Sequence, residues 1–293
     1  MDTEDRLERY RDADSWSAER SLAAMLDNQM AAFVAVRDAL PALARAAGAA
    51  AARLEQGRLV YAGAGASGRL AVQDGVELHP TFGWPRERLC YLIAGGEAAL
   101  VRSIEGAEDD AEAAVAAADA LALGNADVIV AVAASGRTTF TCAVQRTARA
   151  AGALTIGLAN NPGTPLLAEA EIAVLLATGP EFLAGSTRMT AGTAQKIALN
   201  LLSTQIMMAL GRVYHGFMVD VVPSNAKLVA RAKGIVQALT GRTAAEAEAL
   251  WARAGGDLKL AVLLADGLEL DQAKARLAAA GGNLRCARLE EGR

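Results

Sequence analysis

The chain has 293 residues, of which 53% are hydrophobic, and its 33 acidic and 29 basic side chains leave a formal net charge of −4. A chain of this length and composition can bury a large core, which excludes intrinsic disorder for most of it. The pI is near 5.4, and no run of five basic residues occurs. We therefore expect no binding of nucleic acid, which requires clustered Lys and Arg.

Targeting signals and cysteine usage indicate the compartment. Residues 1–20 are rich in charged side chains and lack the apolar segment of a secretory signal. No stretch reaches the ~18 apolar residues of a membrane span. The three cysteines, Cys90, Cys142 and Cys286, have no close spacing, which suits reduced thiols. The sequence therefore predicts a cytoplasmic protein with no membrane partner.

Helical patterns fill residues 1–56, which we predict to form an N-terminal helical arm. The first helix is expected over residues 4–20, and an alanine-rich helix follows and runs to about residue 54. The apolar stripe of such an arm must be buried, either against the core of the same chain or against a second subunit. The pattern leaves both alternatives open.

Five short apolar or β-branched segments, separated by glycine turns and helical stretches, lie within residues 57–240. This alternation is typical of an α/β fold with a doubly wound, five-stranded parallel sheet. In such sheets, ligands bind outside the carboxyl ends of the strands. The predicted strands are residues 59–62, 89–93, 128–133, 154–158 and 172–176.

A long helix over residues 192–209 and a small C-terminal helical subdomain over residues 241–293 complete the predicted fold. Thr243 and Glu246 have the spacing of a capped helix start. The glycine pairs at 255–256 and 281–282 indicate helix ends.

Two strand-to-helix turns contain the same tetrapeptide, at residues 66–69 and again at residues 134–137. A serine followed by glycine at a helix start offers a hydroxyl and free backbone amides, which together with the helix dipole hold a phosphate well. The alternative is that the two serines only cap their helices. The predicted phosphate-binding residues of these turns are Ser67, Gly68, Ser135, Gly136, Arg137 and Thr138.

The first turn also has the glycine spacing of a dinucleotide-binding loop, from Gly63 to Gly68. That fold places an acidic residue about 20 positions further on to bind the ribose. The first acidic residue after the second predicted strand, Glu97, comes later than this. The sequence therefore favours a protein without a nicotinamide cofactor.

A third polar turn follows the fifth strand and contains Ser186 and Thr187, with Lys196 on the long helix after it. No Walker lysine, pair of aspartates or cluster of His and Cys accompanies the three turns, so we expect neither a metal ion nor phosphoryl transfer. The turns indicate a monophosphate that is part of an organic substrate, and a sugar phosphate fits this description.

Two acidic positions differ from ordinary surface charge. Glu77 lies near the end of the helix that starts at the first turn, and Pro80 is expected to stop that helix. At 1.5 Å per residue Glu77 lies about 15 Å along the helix from Ser67. It therefore does not easily reach the first turn of its own chain, and the alternative is that it acts in the site of a neighbouring subunit. The second position is the acidic bend at residues 104–110, whose alternative interpretation is a solvated helix start.

Together these segments resemble the N-acetylmuramic acid 6-phosphate etherase family, which belongs to the sugar isomerase (SIS) superfamily. The resemblance extends over about residues 57–240, and the family also has N-terminal helices and a small C-terminal helical subdomain. The blocks that carry it are residues 63–69, 80–83, 93–96, 105–109, 133–138, 179–181, 185–189, 191–196 and 218–221, with Asn225 and Lys227.

The resemblance implies an enzyme that cleaves the D-lactyl ether of N-acetylmuramic acid 6-phosphate, giving N-acetylglucosamine 6-phosphate and D-lactate, a step in recycling the bacterial wall. It implies a homodimer without metal or nicotinamide. Glu77 would be the acid that protonates the departing lactate, and Glu108 the base that removes the C2 proton before water adds to the unsaturated intermediate. Glu105 and Asp109 stay open as alternatives to Glu108.

By the same resemblance, Ser67, Ser135 and Thr138 would hold the phosphate. Two other functions on this fold are an aldose–ketose isomerase and a non-catalytic sugar-phosphate sensor, and the sensor would not need Glu77. The sequence departs from the family pattern at several positions: Ala66 replaces a threonine, Val76, Leu78 and His79 replace the residues usual around the acid, Thr190 replaces a lysine, and the acidic pattern at residues 27–29 is poorly kept.

Overall fold

The computed structural model describes residues 2–289, and contacts between Cα atoms divide the chain into two compact units. Unit 1 comprises the residues up to Gly75 together with Glu87–Gln205. Unit 2 comprises Val76–Arg86 and the residues from Ile206 onward. The predicted domain ranges 1–56, 57–240 and 241–293 follow a different division and stay a prediction.

Unit 1 is built on a five-stranded parallel sheet with the strand order β2-β1-β3-β4-β5. The predicted α/β fold is thereby confirmed. Strands β1, β3 and β4 are buried along their whole length, as expected for central strands covered by helices on both faces. The strands are β1 Leu59–Gly63, β2 Leu89–Ile93, β3 Val128–Val132, β4 Leu154–Ala159 and β5 Ile172–Leu175.

Helices alternate with the strands in the predicted order. The long helix predicted over residues 192–209 starts two residues earlier, at Thr190. The helices are α1 Ala18–Arg53, α2 Gly65–Val76, α3 Leu78–Phe82, α4 Ala111–Ala120, α5 Thr139–Ala150, α6 Pro165–Glu169, α7 Thr190–Ala209, α8 Ala226–Thr240, α9 Ala244–Arg253, α10 Leu258–Ala265, α11 Leu270–Ala279 and α12 Leu284–Leu289.

The predicted helix over residues 4–20 is wrong. The segment forms two short 3-10 turns, Glu8–Tyr10 and Ala13–Ser15, and α1 begins only at Ala18. Contacts remote in sequence explain the difference, because Thr3 is fully buried and its backbone N–H donates to Asn161 Oδ1 at 3.0 Å. These contacts hold the start of the chain in an irregular conformation that its local charge pattern does not reveal.

The buried face of helix α1 consists mostly of alanine side chains. Its alanines and a few larger residues pack toward β4 and β5, and alanine lets a helix approach a sheet closely. The arm thus covers the core, which was one of the two open alternatives. The buried residues include Ala32, Ala35, Val36, Ala39, Leu43, Ala46, Ala47 and Ala50.

Unit 2 contains helices α8–α12 and has a hydrophobic core of its own. The Thr243 side chain accepts from the backbone of Glu246 and the Glu246 side chain accepts from that of Thr243, so the predicted capped start of α9 is confirmed. Helices α9 and α11 end just before the glycine pairs at 255–256 and 281–282, as predicted. A short hairpin of β6 (Val213–Tyr214) and β7 (Phe217–Met218) precedes α8.

The helix break at Glu77 differs from the prediction that Pro80 stops the preceding helix. Helix α2 ends at Val76, and Pro80 lies inside α3. A proline in the first turn of a helix costs little, because its missing N–H would have had no partner within the helix. Glu77 is therefore the N-cap residue of α3, at the junction of two helices.

Candidate functional site

The sheet brings the two turns with the repeated tetrapeptide next to each other. Strands β1 and β3 are neighbours, and their last residues, Gly63 and Val132, are paired in register. The strand order reverses between β1 and β3, and such a switch point opens a crevice for ligands at the carboxyl ends of the strands. The turns with Ser67 and Ser135 leave the sheet on either side of this crevice.

The turn after β3 brings two of the predicted phosphate-binding hydroxyls together. Ser135 Oγ and Thr138 Oγ1 are 3.5 Å apart, and the backbone N–H of Arg137 donates to Ser135 Oγ at 3.2 Å. Gly136 has a φ of +64°, and a Cβ added there would lie only 2.7 Å from Thr164 Cβ. Only glycine fits this position, so the turn depends on it.

Neither serine of the repeated tetrapeptide is an N-cap. Ser67 is the third residue of α2 and is only 7% exposed. The N-cap of α5 is Thr138, and its side chain makes no capping hydrogen bond. A Cβ on Gly68 would lie 3.1 Å from the backbone of Gly63, so this glycine lets α2 start close against the end of β1. The capping alternative is therefore not what the structure contains.

The third polar turn has a different character, because a buried carboxylate caps the helix that follows. Glu181 is fully buried, and the backbone amides of Thr190 and Ala191 each donate to it at 2.8 Å. Ser186 and Thr187 lie in the preceding turn, where their carbonyls accept backbone N–H groups. The first amides of α7 are thus already occupied by a negative charge.

Lys196 is linked to a buried aspartate by an asparagine. Lys196 Nζ donates to Asn200 Oδ1 at 2.6 Å, and Asn200 Nδ2 donates to Asp74 Oδ1 at 2.5 Å. Asp74 also accepts from the Tyr61 hydroxyl at 2.7 Å and from the Ser203 hydroxyl at 3.2 Å. Burial raises the pKa of Tyr61 well above its usual value, and the neighbouring carboxylate raises it further.

Three polar residues that organise this region were not predicted: Asp74, Asn160 and Glu181. The Asn160 backbone N–H donates to the carbonyl of Ala134, and its side chain accepts from Gln195 Nε2 at 2.9 Å. It thereby ties the Ser135 turn to α7. The polar residues that follow β4 were a signal that could have identified Asn160. Glu181 lies in the block 179–181 that carries the family resemblance, but no role was predicted for it.

The two predicted catalytic carboxylates lie in different units and are both exposed. Glu108 is on the 3-10 turn Ala107–Asp109, which packs against α5, the helix that starts after Thr138. Glu77 belongs to unit 2. Apart from Ser135 and Thr138, no hydrogen bond among residues 2–289 joins one predicted site side chain to another. Within the same residues, no three His, Cys, Asp or Glu side chains are grouped so as to hold a metal ion.

Two curated relatives of this chain have the same name. The chain is 52% identical to an N-acetylmuramic acid 6-phosphate etherase of Deinococcus radiodurans over 278 residues, which cover 94% of this chain and 91% of the relative. It is 48% identical to an etherase of the same name from Rubrobacter xylanophilus, covering 88% of this chain and 86% of the relative. A family model for the glucokinase regulatory protein N-terminal SIS domain matches residues 42–148.

The fold has relatives among solved structures as well. A Bacteroides fragilis protein, provisionally described as a phosphosugar isomerase involved in capsule formation, aligns with a TM-score of 0.50 at 19% identity, covering 66% of this chain and 91% of that one. This likeness supports the SIS-type fold only. In the described part of the chain, no helix is both long and apolar enough to cross a membrane. From the extent and identity of its sequence relatives, the chain belongs to the N-acetylmuramic acid 6-phosphate etherase family.

Proposed function

We propose that this protein cleaves the D-lactyl ether of N-acetylmuramic acid 6-phosphate, giving N-acetylglucosamine 6-phosphate and D-lactate, in the cytoplasm as part of wall recycling. The observation that carries the proposal is the pair of segments with the same serine-containing tetrapeptide on either side of the β1/β3 switch point, in a chain 52% identical to an etherase. Retention of both Glu77 and Glu108 favours an enzyme over a sensor, because only catalysis needs two carboxyl groups.

The phosphate of the substrate is held at the switch point. Ser135 and Thr138 supply adjacent hydroxyls, Ser67 supplies a third from the first turn of α2, and the N-terminal ends of α2 and α5 add partial positive charge. We assign the outer positions Arg137, Ser186, Thr187 and Lys196 to the rest of the sugar phosphate.

The reaction is an elimination followed by an addition. Glu108 removes the proton at C2, which is acidic because it is next to the open-chain aldehyde, and the C3–O bond breaks as Glu77 gives its proton to the lactate oxygen. Water then adds at C3 of the unsaturated aldehyde, and C2 regains a proton. After the elimination Glu108 is protonated and Glu77 is ionised, so Glu77 takes a proton from the attacking water and Glu108 returns one to C2, which restores both groups to their starting states.

The test is to incubate the purified protein with N-acetylmuramic acid 6-phosphate and to measure D-lactate and ketose products. Glu77→Gln is expected to lower lactate release by a factor on the order of 100 or more, since it removes a general acid, while leaving sugar-phosphate binding largely intact. Glu108→Gln is expected to abolish exchange of the C2 hydrogen in deuterated water, whereas Glu105→Gln, the matched control in the same bend, should keep it. Near-normal turnover of Glu77→Gln would contradict the assignment.

We further propose that the protein is a homodimer in which α1 contacts the second copy. One face of α1 presents Leu26 and Phe33, which are 66% and 57% exposed, together with Leu22, Met30 and Leu40 at helical spacing. A stripe of this kind marks an interaction surface. Leu26→Glu with Phe33→Glu is expected to give the mass of a monomer in light scattering. Val115→Glu, at an exposed position of α4, is the control and should stay dimeric.

A further inference from the structure

Helix α3, which directly follows Glu77, is held by other parts of unit 2. The backbone N–H of Val222 donates to the carbonyl of Pro80 at 3.1 Å. Arg212 Nη1 donates to the carbonyl of Phe82, at the end of the helix, at 2.7 Å. Helix α3 is only five residues long, so two such bonds fix both its position and its direction.

The orientation of α3 determines where the backbone of Glu77 lies. The Glu77 carbonyl accepts from Thr81 N at 3.2 Å, which makes Glu77 part of the first turn of the helix. At the other end, Gly83 has a φ of +62°, and a Cβ added there would lie 2.7 Å from the carbonyl oxygen of Asp220. The helix end and residue 220 are therefore packed in backbone contact.

The position of Asp220 is itself fixed by a lysine from the core of unit 2. Lys259 is only 6% exposed, and its Nζ donates to Asp220 Oδ2 at 2.5 Å and to the carbonyl of Gly282 at 2.6 Å. A buried ion pair adds little net stability compared with apolar residues of the same size. The role that remains for this pair is geometric, because it sets the position of the loop that packs against α3.

We propose that Arg212, Asp220 and Lys259 are positioning residues, which hold α3 so that Glu77 is oriented to protonate the leaving lactate. This inference rests on the proposed function. A proton is transferred only within hydrogen-bond reach, and a misplacement of about 1 Å costs on the order of 100-fold in rate. The helices of unit 2 then have a task in catalysis, although they carry no reacting group.

The experiment compares two steps of the reaction in Arg212→Gln and Lys259→Met. D-lactate release at saturating substrate reports on Glu77, and C2 hydrogen exchange in deuterated water reports on Glu108. We expect lactate release to fall by about 100-fold while exchange changes little. Arg212→Lys keeps a donor for the Phe82 carbonyl and is expected to recover part of the loss. Lys233→Met, which removes the exposed pair with Glu248 in the same unit, is the control and should leave both rates unchanged.

Unchanged lactate release in Arg212→Gln and Lys259→Met, or an equal fall of both rates, would overturn the proposal. If circular dichroism indicates that these variants do not fold, Gly83→Ala decides, because it disturbs the contact with Asp220 from the side of α3. Failure of the wild-type protein to release lactate would instead contradict the proposed function, so the two failures are distinguishable.

Discussion

Asn28 and Thr190, two positions at which the sequence departs from the family pattern, are in direct contact. Thr190 Oγ1 donates to Asn28 Oδ1 at 2.7 Å, and Thr190 N donates to the buried carboxylate of Glu181. Asn28 Nδ2 also donates to the carbonyl of Pro180 at 3.3 Å. The resemblance implies a lysine at 190 and an acidic pattern around residues 27–29, so we expect the two departures, which meet in this hydrogen bond, to compensate each other.

A double-mutant cycle tests this compensation. Asn28→Glu buries a carboxylate beside that of Glu181 without a cation, and we expect it to lower the free energy of unfolding by about 3–5 kcal/mol. Thr190→Lys leaves Asn28 Oδ1 without its donor, and we expect this to lower the free energy of unfolding by about 1–3 kcal/mol. In the double variant the lysine lies between two carboxylates. The double variant should therefore lose less stability than Asn28→Glu alone.

The cycle is measured by urea denaturation followed by far-UV circular dichroism, with ΔΔG taken from midpoint shifts at constant m. The expected coupling between the two substitutions is favourable and about 2 kcal/mol or more, within the range known for contacting pairs. Additivity within about 0.5 kcal/mol, or a double variant less stable than Asn28→Glu, would show that the two positions do not compensate each other.

Other predictions concern a structural carboxylate, the phosphate site and a buried tyrosine. Burial alone would raise the pKa of Asp127, but hydrogen bonds from Arg58 and two backbone amides outweigh it and lower that pKa. The resulting stability is therefore present above about pH 4 and lost as pH falls through the lowered pKa, and Asp127→Asn should flatten acid denaturation curves in this window. Ser135→Asp should abolish sugar-phosphate binding in calorimetry, because like charges repel; unchanged binding would count against the paired turns. Tyr61→Phe, which removes a donor to Asp74, should cost about 1–3 kcal/mol in urea denaturation, and no loss would refute a structural role for that bond.

The strands were predictable because each is an apolar run bounded by glycine or polar turns, and burial on both faces leaves that pattern in the sequence. The start of the chain was not, because Thr3 is held by Asn161, a residue remote in sequence. Pro80 shows a limit of local rules as well. A proline marks a helix boundary, but only the structure distinguishes the end of one helix from the first turn of the next.

The same contrast between local sequence signals and contacts remote in sequence applies to the candidate site. The closeness of the segments with Ser67 and Ser135 was predictable, because a tetrapeptide repeated after two strands is a local signal and a parallel sheet brings the ends of neighbouring strands together; their role in binding phosphate stays a prediction. Asp74, Asn160 and Glu181 were missed because their importance comes from burial and from distant partners. A single sequence gives no sign that a carboxylate such as Glu181 is fully enclosed, since isolated acidic residues are mostly exposed.

Glu181 also bears on which turn holds the phosphate. A helix N terminus attracts an anion through its free amides and its dipole, and at α7 a carboxylate already accepts from both Thr190 and Ala191. A second anion at the same place would meet a like charge in a buried setting, where repulsion is weakly screened. At α5, the N-cap Thr138 makes no capping bond with its side chain, and its hydroxyl lies beside that of Ser135. The charge distribution therefore favours the switch point over the third turn as the phosphate-binding site, and we expect Ser186 and Thr187 to contact uncharged parts of the sugar.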